Sequence, residues 1–137
     1  MDCIFCNIIK GKIPTRKIIE TDRSLAFLDA FPLTKGHTLV IPKNHYATIQ
    51  EMKNEDTIDL FNIVKIMTGR IERLAPSSLV AIHNGKESGQ EIPHVHVHII
   101  PRNIDDKVGP VHSMFKERPK LTDSEFENLA QKLRDKN

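Results

Sequence analysis

His94-Val95-His96-Val97-His98-Ile99-Ile100 is the stretch that decides how this chain is read. Strict alternation is the pattern of an extended strand. Period two puts His94, His96 and His98 on one face and Val95 and Val97 on the other, with successive same-face imidazoles ~6.5–7 Å apart. The valines suit a core. A half-exposed strand with a polar wet side accounts for one such histidine more readily than for three in register. A metal-only site is a second reading, since neutral imidazole is a common ligand. Three same-face residues span ~13–14 Å, however, so one or two at most could reach one ion unless the strand bends. The functional reading is catalysis, because an imidazole titrating near neutrality offers both a nucleophile and a proton donor. The preceding loop, His83-Asn84-Gly85-Lys86-Glu87-Ser88-Gly89-Gln90, carries two glycines. Such a loop can turn backbone N–H groups toward an anion, which is consistent with phosphate.

Working outward, strand-like runs are expected at Lys17 to Glu20, Ser24 to Asp29, His37 to Pro42, residues 79–84 and residues 94–101. A short helical spacing opens the chain over residues 3–10 and ends at Gly11. The main helix is expected over residues 54–75. Asn54 or Thr57 would cap it, and Leu60, Phe61, Val64, Met67, Ile71 and Leu74 would form its apolar face. A second helix, Thr122 to Arg134, begins with the capping-box pair Thr122 and Glu125. Residues 103–121 show no clear period and read as loop. Several strands in succession with segregated helices predict an α+β fold with a mostly antiparallel sheet.

A chain of 137 residues suits one domain, 1–137, with a core at about 3–102 and a C-terminal loop and helix over 103–137. Hydrophobic residues at 39% and charged residues at 28% exclude a wholly disordered chain. A net charge of +2 is too balanced for a nucleic-acid binder. No apolar run approaches the ~20 residues that a membrane-spanning helix needs. The start, Met1-Asp2-Cys3-Ile4-Phe5-Cys6, has neither the basic nor the apolar region of a secretory signal, so a reducing, cytoplasmic setting is expected. In that setting Cys3-x-x-Cys6 is a poor disulfide candidate. Half of a zinc site, a redox pair and chance remain as readings of the pair.

Gly89-Gln90-x-x-x-His94-x-His96-x-His98, with Lys35-Gly36-His37-Thr38-Leu39-Val40-Ile41-Pro42 upstream and Ile99-Ile100-Pro101-Arg102 after it, resembles the histidine-triad (HIT) family of nucleotide hydrolases and transferases. Cys3-Ile4-Phe5-Cys6, Gly11-Lys12-Ile13-Pro14 and Leu25-Ala26-Phe27-Leu28-Asp29 match in order, so the resemblance covers roughly residues 3–102. It implies a five-stranded antiparallel sheet with two main helices packed on it, in a homodimer. It implies cleavage at the α-phosphate of a purine nucleoside phosphoramidate or nucleotide conjugate through a nucleotidyl-histidine. A dinucleoside polyphosphate hydrolase, or a nucleotide-binding partner protein with little turnover, is the alternative.

Carried over by position, His96 would be the nucleophile, His98 would bond the phosphate and assist the leaving group, and His94 and His37 would complete the catalytic set. Gly89, Gln90 and Glu91 would hold phosphate oxygens, Asp29 the ribose hydroxyls, and Phe5, Ile8, Ile13, Phe27 and Leu28 the base. The position two before Gly85, usually Asn or Gln in the family, is His83. The cysteine pair and the Pro101-Arg102 ending resemble the zinc-containing microbial branch, which implies a structural zinc on Cys3, Cys6, His45 and His94. A tail with a tryptophan, found in another branch, is absent, since the chain has no Trp.

Overall fold

The computed structural model describes residues 2–135. They fall into two compact units, one ending at Asp106 and the other beginning at Lys107. The first unit holds helix α1 (Ile4–Ile9), strands β1 (Lys17–Glu20), β2 (Ser24–Leu28) and β3 (Thr38–Pro42), helix α2 (Asn54–Ile71), and strands β4 (Ser77–Ala81) and β5 (Val97–Arg102). The second contains α3 (Asp123–Arg134), whose start is the expected capping box: Thr122 Oγ1 accepts from Glu125 N, and the Glu125 carboxylate accepts from Thr122 N. Among the described residues no helix is long and apolar enough to cross a membrane.

The five strands form one antiparallel sheet in the order β1-β2-β3-β5-β4. Both faces of its centre are buried, and the strand alternation sorts the side chains between them. Ala26, Val40, Val97 and Ile99 face α2 and pack with Leu60, Ile63, Val64, Met67 and Ile71. Leu25, Phe27, Leu39 and Ile41 face the other way and pack with Cys3, Phe5 and Ile8 of the α1 segment. Each fully buried aliphatic or aromatic side chain contributes roughly 1.5–3 kcal/mol, so two such clusters fix which face every strand presents.

Several boundaries differ from expectation. Helix α2 starts at Asn54 with Lys53 as a cap that makes no side-chain bond, while the Thr57 hydroxyl donates to the Lys53 carbonyl one turn back. It ends at Ile71, and Phe61 and Leu74 are exposed; Ile63 takes a core place instead. Strand β4 starts two residues earlier and ends three residues earlier than expected. Strand β5 begins only at Val97, because His94 N donates to Ile92 O in a turn and Val95 N to Tyr46 O in a loop. The alternation survives: Val95 stays in the α2-side core, and both His94 and His96 pack edge-on to Phe5.

Candidate active site

One row of cross-strand neighbours makes the floor of the site. Phe27 pairs with Leu39, Leu39 with His98, and His98 with Ala81. An apolar floor therefore runs directly into an imidazole on the face that α1 only partly covers. The cleft left there has a volume of about 550 Å³, within the range of small-molecule sites. Phe5, Ile8, Ile13, Phe27 and Leu28 line its apolar end, and His37, His83, His96 and His98 its polar end, with Asp29 and the backbone at Gly89 and Glu91. Ile4 lines it too, as do Thr15, Phe31 and Leu33; these last three, lying outside the alternating runs, carried no sequence signal.

Each histidine has its ring set by a different partner. His96 Nδ1 lies 2.8 Å from the His94 carbonyl and must donate to it, so the Nε2 lone pair is left for the cleft. The Leu33 backbone N–H donates to His37 Nδ1 at 3.1 Å. The His37 proton is then on Nε2, which donates to His98 Nδ1 at 3.0 Å, and the His98 proton is in turn on its own Nε2. One backbone amide thus fixes two tautomers. Burial is the main cause that holds all four rings of the cluster neutral at physiological pH. It lowers His37 and His96 from the usual value, and it brings His94 and His98 to about 4, neighbouring imidazoles adding to the effect.

Asp29 follows β2 and is tied to the same corner. Its N–H donates to the His37 carbonyl, its Oδ1 accepts from Phe31 N at 2.8 Å, and its Oδ2 lies 3.7 Å from His37 Nδ1. Asp29, His37 and His98 are close enough to suggest an ion site. The facing nitrogens of the two histidines are already used by each other, so hydrogen bonding accounts for that grouping.

The loop that leads to the histidines is held by Gln90. Its Oε1 accepts from Gly85 N at 2.8 Å, and its Nε2 donates to the carbonyls of Ala47 and Ile92. The expected phosphate contact from this amide is therefore not what the structure places there; Gln90 braces the loop from behind, and Gly89 and Glu91 face the cleft. Gly85 and Gly89 have φ of +103° and +105°, a region that disfavours any side chain. The sequence displays the amide but not its direction.

His94 faces away from the cleft. Its Nε2 donates to the Pro42 carbonyl at 2.8 Å, which leaves the Nδ1 lone pair toward Cys3 Sγ at 3.4 Å, Cys6 Sγ at 3.6 Å and His45 Nδ1 at 3.1 Å. Cys6 Sγ to His45 Nδ1 is 3.4 Å. Zinc–sulfur bonds of about 2.3 Å and zinc–nitrogen bonds of about 2.0 Å on a tetrahedron require S···N near ~3.5 Å and N···N near ~3.3 Å. The four donors fit that ion. Cys3 Sγ also accepts from Cys6 N at 3.4 Å as the cap of α1, a bond suited to a thiolate.

A network that sequence reasoning missed stands behind this group. Asp56, fully buried on α2, accepts from Arg23 Nη1 at 2.8 Å, Asn44 Nδ2 at 2.9 Å and Tyr46 Oη at 2.5 Å. It fixes the segment on both sides of His45, and the Tyr46 carbonyl in turn holds Val95 N. A carboxylate in the first turn reads as a dipole partner, which hid its second role.

A HIT domain model matches residues 10–105. Adenosine 5'-monophosphoramidase hnt1 of Schizosaccharomyces pombe is 47% identical over 103 residues, spanning 74% of this chain and 75% of that protein. A solved member of the HIT family of proteins from Bacillus subtilis superposes with a TM-score of 0.88 at 34% identity, over 100% of this chain and 99% of that one. A Zn-bound histidine triad family protein from Mycobacterium smegmatis superposes with a TM-score of 0.73 at 34% identity, over 80% and 81% of the two chains.

Proposed function

The chain belongs to the HIT domain family, and we propose that it hydrolyses a purine nucleoside phosphoramidate or related nucleotide conjugate at its α-phosphate, through a nucleotidyl adduct on His96. One observation carries this reading. His96 has its Nδ1 committed to the His94 carbonyl and its Nε2 lone pair free at the polar end of an apolar cleft. A neutral imidazole so oriented is a nucleophile that needs no prior deprotonation.

The neighbouring groups suit the rest of the reaction. Phe5, Ile8 and Phe27 offer an apolar slot for a flat base, and Asp29 offers a carboxylate for ribose hydroxyls. His98 Nε2–H, held as a donor through His37, bonds a phosphoryl oxygen as charge builds on it. The backbone at Gly89 and Glu91, shaped by Gln90, supports the same oxygens. Attack by His96 Nε2 on phosphorus displaces the leaving group, and water then displaces His96.

A zinc ion on Cys3, Cys6, His45 and His94 belongs to this reading. It would link the N-terminal segment to the residue whose carbonyl orients His96, with all four positions filled by protein, so its part is structural. Association as a homodimer belongs to it as well. The unpaired edge of β4, with exposed Val80, and the exposed Phe61 and Ile66 of α2 support pairing of two copies.

The test is turnover of a fluorogenic adenosine phosphoramidate by the unmodified protein and by His96→Ala. Turnover that vanishes in the variant while nucleotide binding persists supports the reading. Nucleotide binding without turnover in both proteins would mean a binding protein instead.

A further inference from the structure

We propose that His83 is a further catalytic residue of this site. It acts as the acid that gives a proton to the group leaving the α-phosphorus, and then as the base that takes one from the attacking water. The inference rests on the hydrolase reading above and adds to it the chemistry of the leaving group.

The two rings nearest the reaction are already committed. His96 donates its Nδ1 proton to the His94 carbonyl, so its Nε2 pair is the nucleophile and carries no proton to give. His98 accepts the His37 proton at Nδ1, so its one proton is on Nε2. Losing that proton would create an imidazolate. Gaining a second at Nδ1 would set two N–H groups against each other at 3.0 Å. His98 is therefore a fixed hydrogen-bond donor to the phosphoryl group and a poor proton donor to anything that departs.

His83 is under no such constraint. It follows β4, lines the cleft, and stands edge-on to His98 with ring centroids 5.6 Å apart. Neither of its ring nitrogens has a hydrogen-bond partner among the described residues, and its partial exposure lets solvent recharge it. A Cβ at Gly89 would stand only 3.4 Å from His83 Cδ2, so the bare backbone of this loop passes close beside the ring. The titratable groups around it are His96 and His98, Asp29 elsewhere on the cleft wall, and Lys86, Glu87 and Glu91 on the loop, of which Glu91 lines the cleft.

The steps balance. As the His96 Nε2 pair bonds phosphorus, the bond from phosphorus to the leaving nitrogen breaks, and that nitrogen takes the proton of the His83 imidazolium and departs as a neutral amine. In the second step neutral His83 takes a proton from water while the water oxygen bonds phosphorus. The phosphorus–His96 bond then breaks, its pair returns to the ring, and His83 is protonated again. A leaving group stable as an anion needs no such proton; an alkylamine does. His83 thus favours substrates whose leaving group is basic.

The experiment compares kcat/KM of the full chain and of His83→Gln on two adenosine 5'-phosphoryl substrates, one releasing an alkylamine and one releasing p-nitrophenolate. General acid catalysis is typically worth about 10²–10⁴-fold. On that scale the expected result is a loss of about 100-fold or more on the amine substrate, at least about 30-fold larger than the loss on the nitrophenolate substrate. The nitrophenolate substrate also reports that the variant is folded. Equal losses on both substrates would make His83 a positioning residue and overturn the proposal, as would a loss below about threefold on the amine. Failure of the unmodified protein to cleave either substrate would overturn the hydrolase reading itself, and this one with it.

Discussion

Replacing Asp56 by Asn should destabilise the fold by about 2 kcal/mol at neutral pH and by almost nothing near pH ~2. The Asp56 carboxyl is held at about 2, below its usual 3.8, chiefly by the Tyr46 hydroxyl and further by Asn44 and Arg23, against burial acting the other way. Because the folded value lies below the unfolded one, the carboxylate stabilises the native state fully above pH ~4. That contribution fades as pH falls through the folded value. A difference of this size corresponds to about 2 kcal/mol. The half-exposed Arg23 supplies little of it, since exposed ion pairs are worth ~0–1 kcal/mol. Most comes from the Tyr46 and Asn44 bonds to a side chain sealed from water. The amide of the variant would keep the shape and lose the charge. Urea titrations of both proteins at several pH values between about 2 and 7 measure the gap directly. At neutral pH the melting temperature should fall by roughly 4–8 °C. A gap that stays constant across that range, or one below about 0.5 kcal/mol at neutral pH, would refute the assignment of Asp56 as a charged anchor.

Rapid quench with an adenosine phosphoramidate should trap an acid-labile adduct on His96, and His96→Ala should lose at least about 10³-fold in kcat, read by peptide mapping and steady-state kinetics. Protein purified without added zinc should carry one ion per chain by metal analysis; Cys6→Ser should lose it and melt at lower temperature, since binding couples to folding. Freely titratable thiols with no metal would remove that claim. Gly89→Ala should lower turnover, because φ of +105° strains any side chain, while leaving the zinc content unchanged; an unaltered rate would show that the loop tolerates another backbone path. Leu60→Ala, at a fully buried position of α2, should cost about 2–5 kcal/mol in denaturant titrations.

What could be read from the sequence follows from which signals are periodic. Alternation at Leu25 to Phe27, Leu39 to Ile41 and Val95 to Ile99 encodes two buried faces, and it placed the strands and the histidine face correctly. Period alone cannot say where a ladder starts. The extended backbone at His94 to His96 bonds a turn and a loop, so the pattern outruns the strand. Helix periodicity located α2 but overreached at Phe61, which is exposed on the helix, and at Leu74, which lies past its end. The cleft residues that were found, Phe5, Asp29, His37 and His83 among them, came through a resemblance. Those missed, Phe31 and Leu33, lie in an aperiodic loop, where a backbone amide does the positioning. Gln90 and Asp56 show the same limit, since a polar side chain in sequence names its donors and acceptors but not the groups they meet.

The strand order has a consequence for how the molecule is made. β5 is last of the five along the chain, yet it lies between β3 and β4, which have no other contact in the sheet. Until it inserts, the sheet is two separate pieces, with His37 beside one, His83 beside the other, and His98 not yet between them. One partner, β4, is near in sequence, but β3 is distant, as Leu39 opposite His98 illustrates, and closing such contacts is the slow part of folding. Sheet completion and assembly of the reactive centre are then one event. A truncation ending before Val97 would keep His96 but lose His98 and the strand that joins the two pieces, and nucleotide affinity acquired during refolding would time the insertion of a single strand.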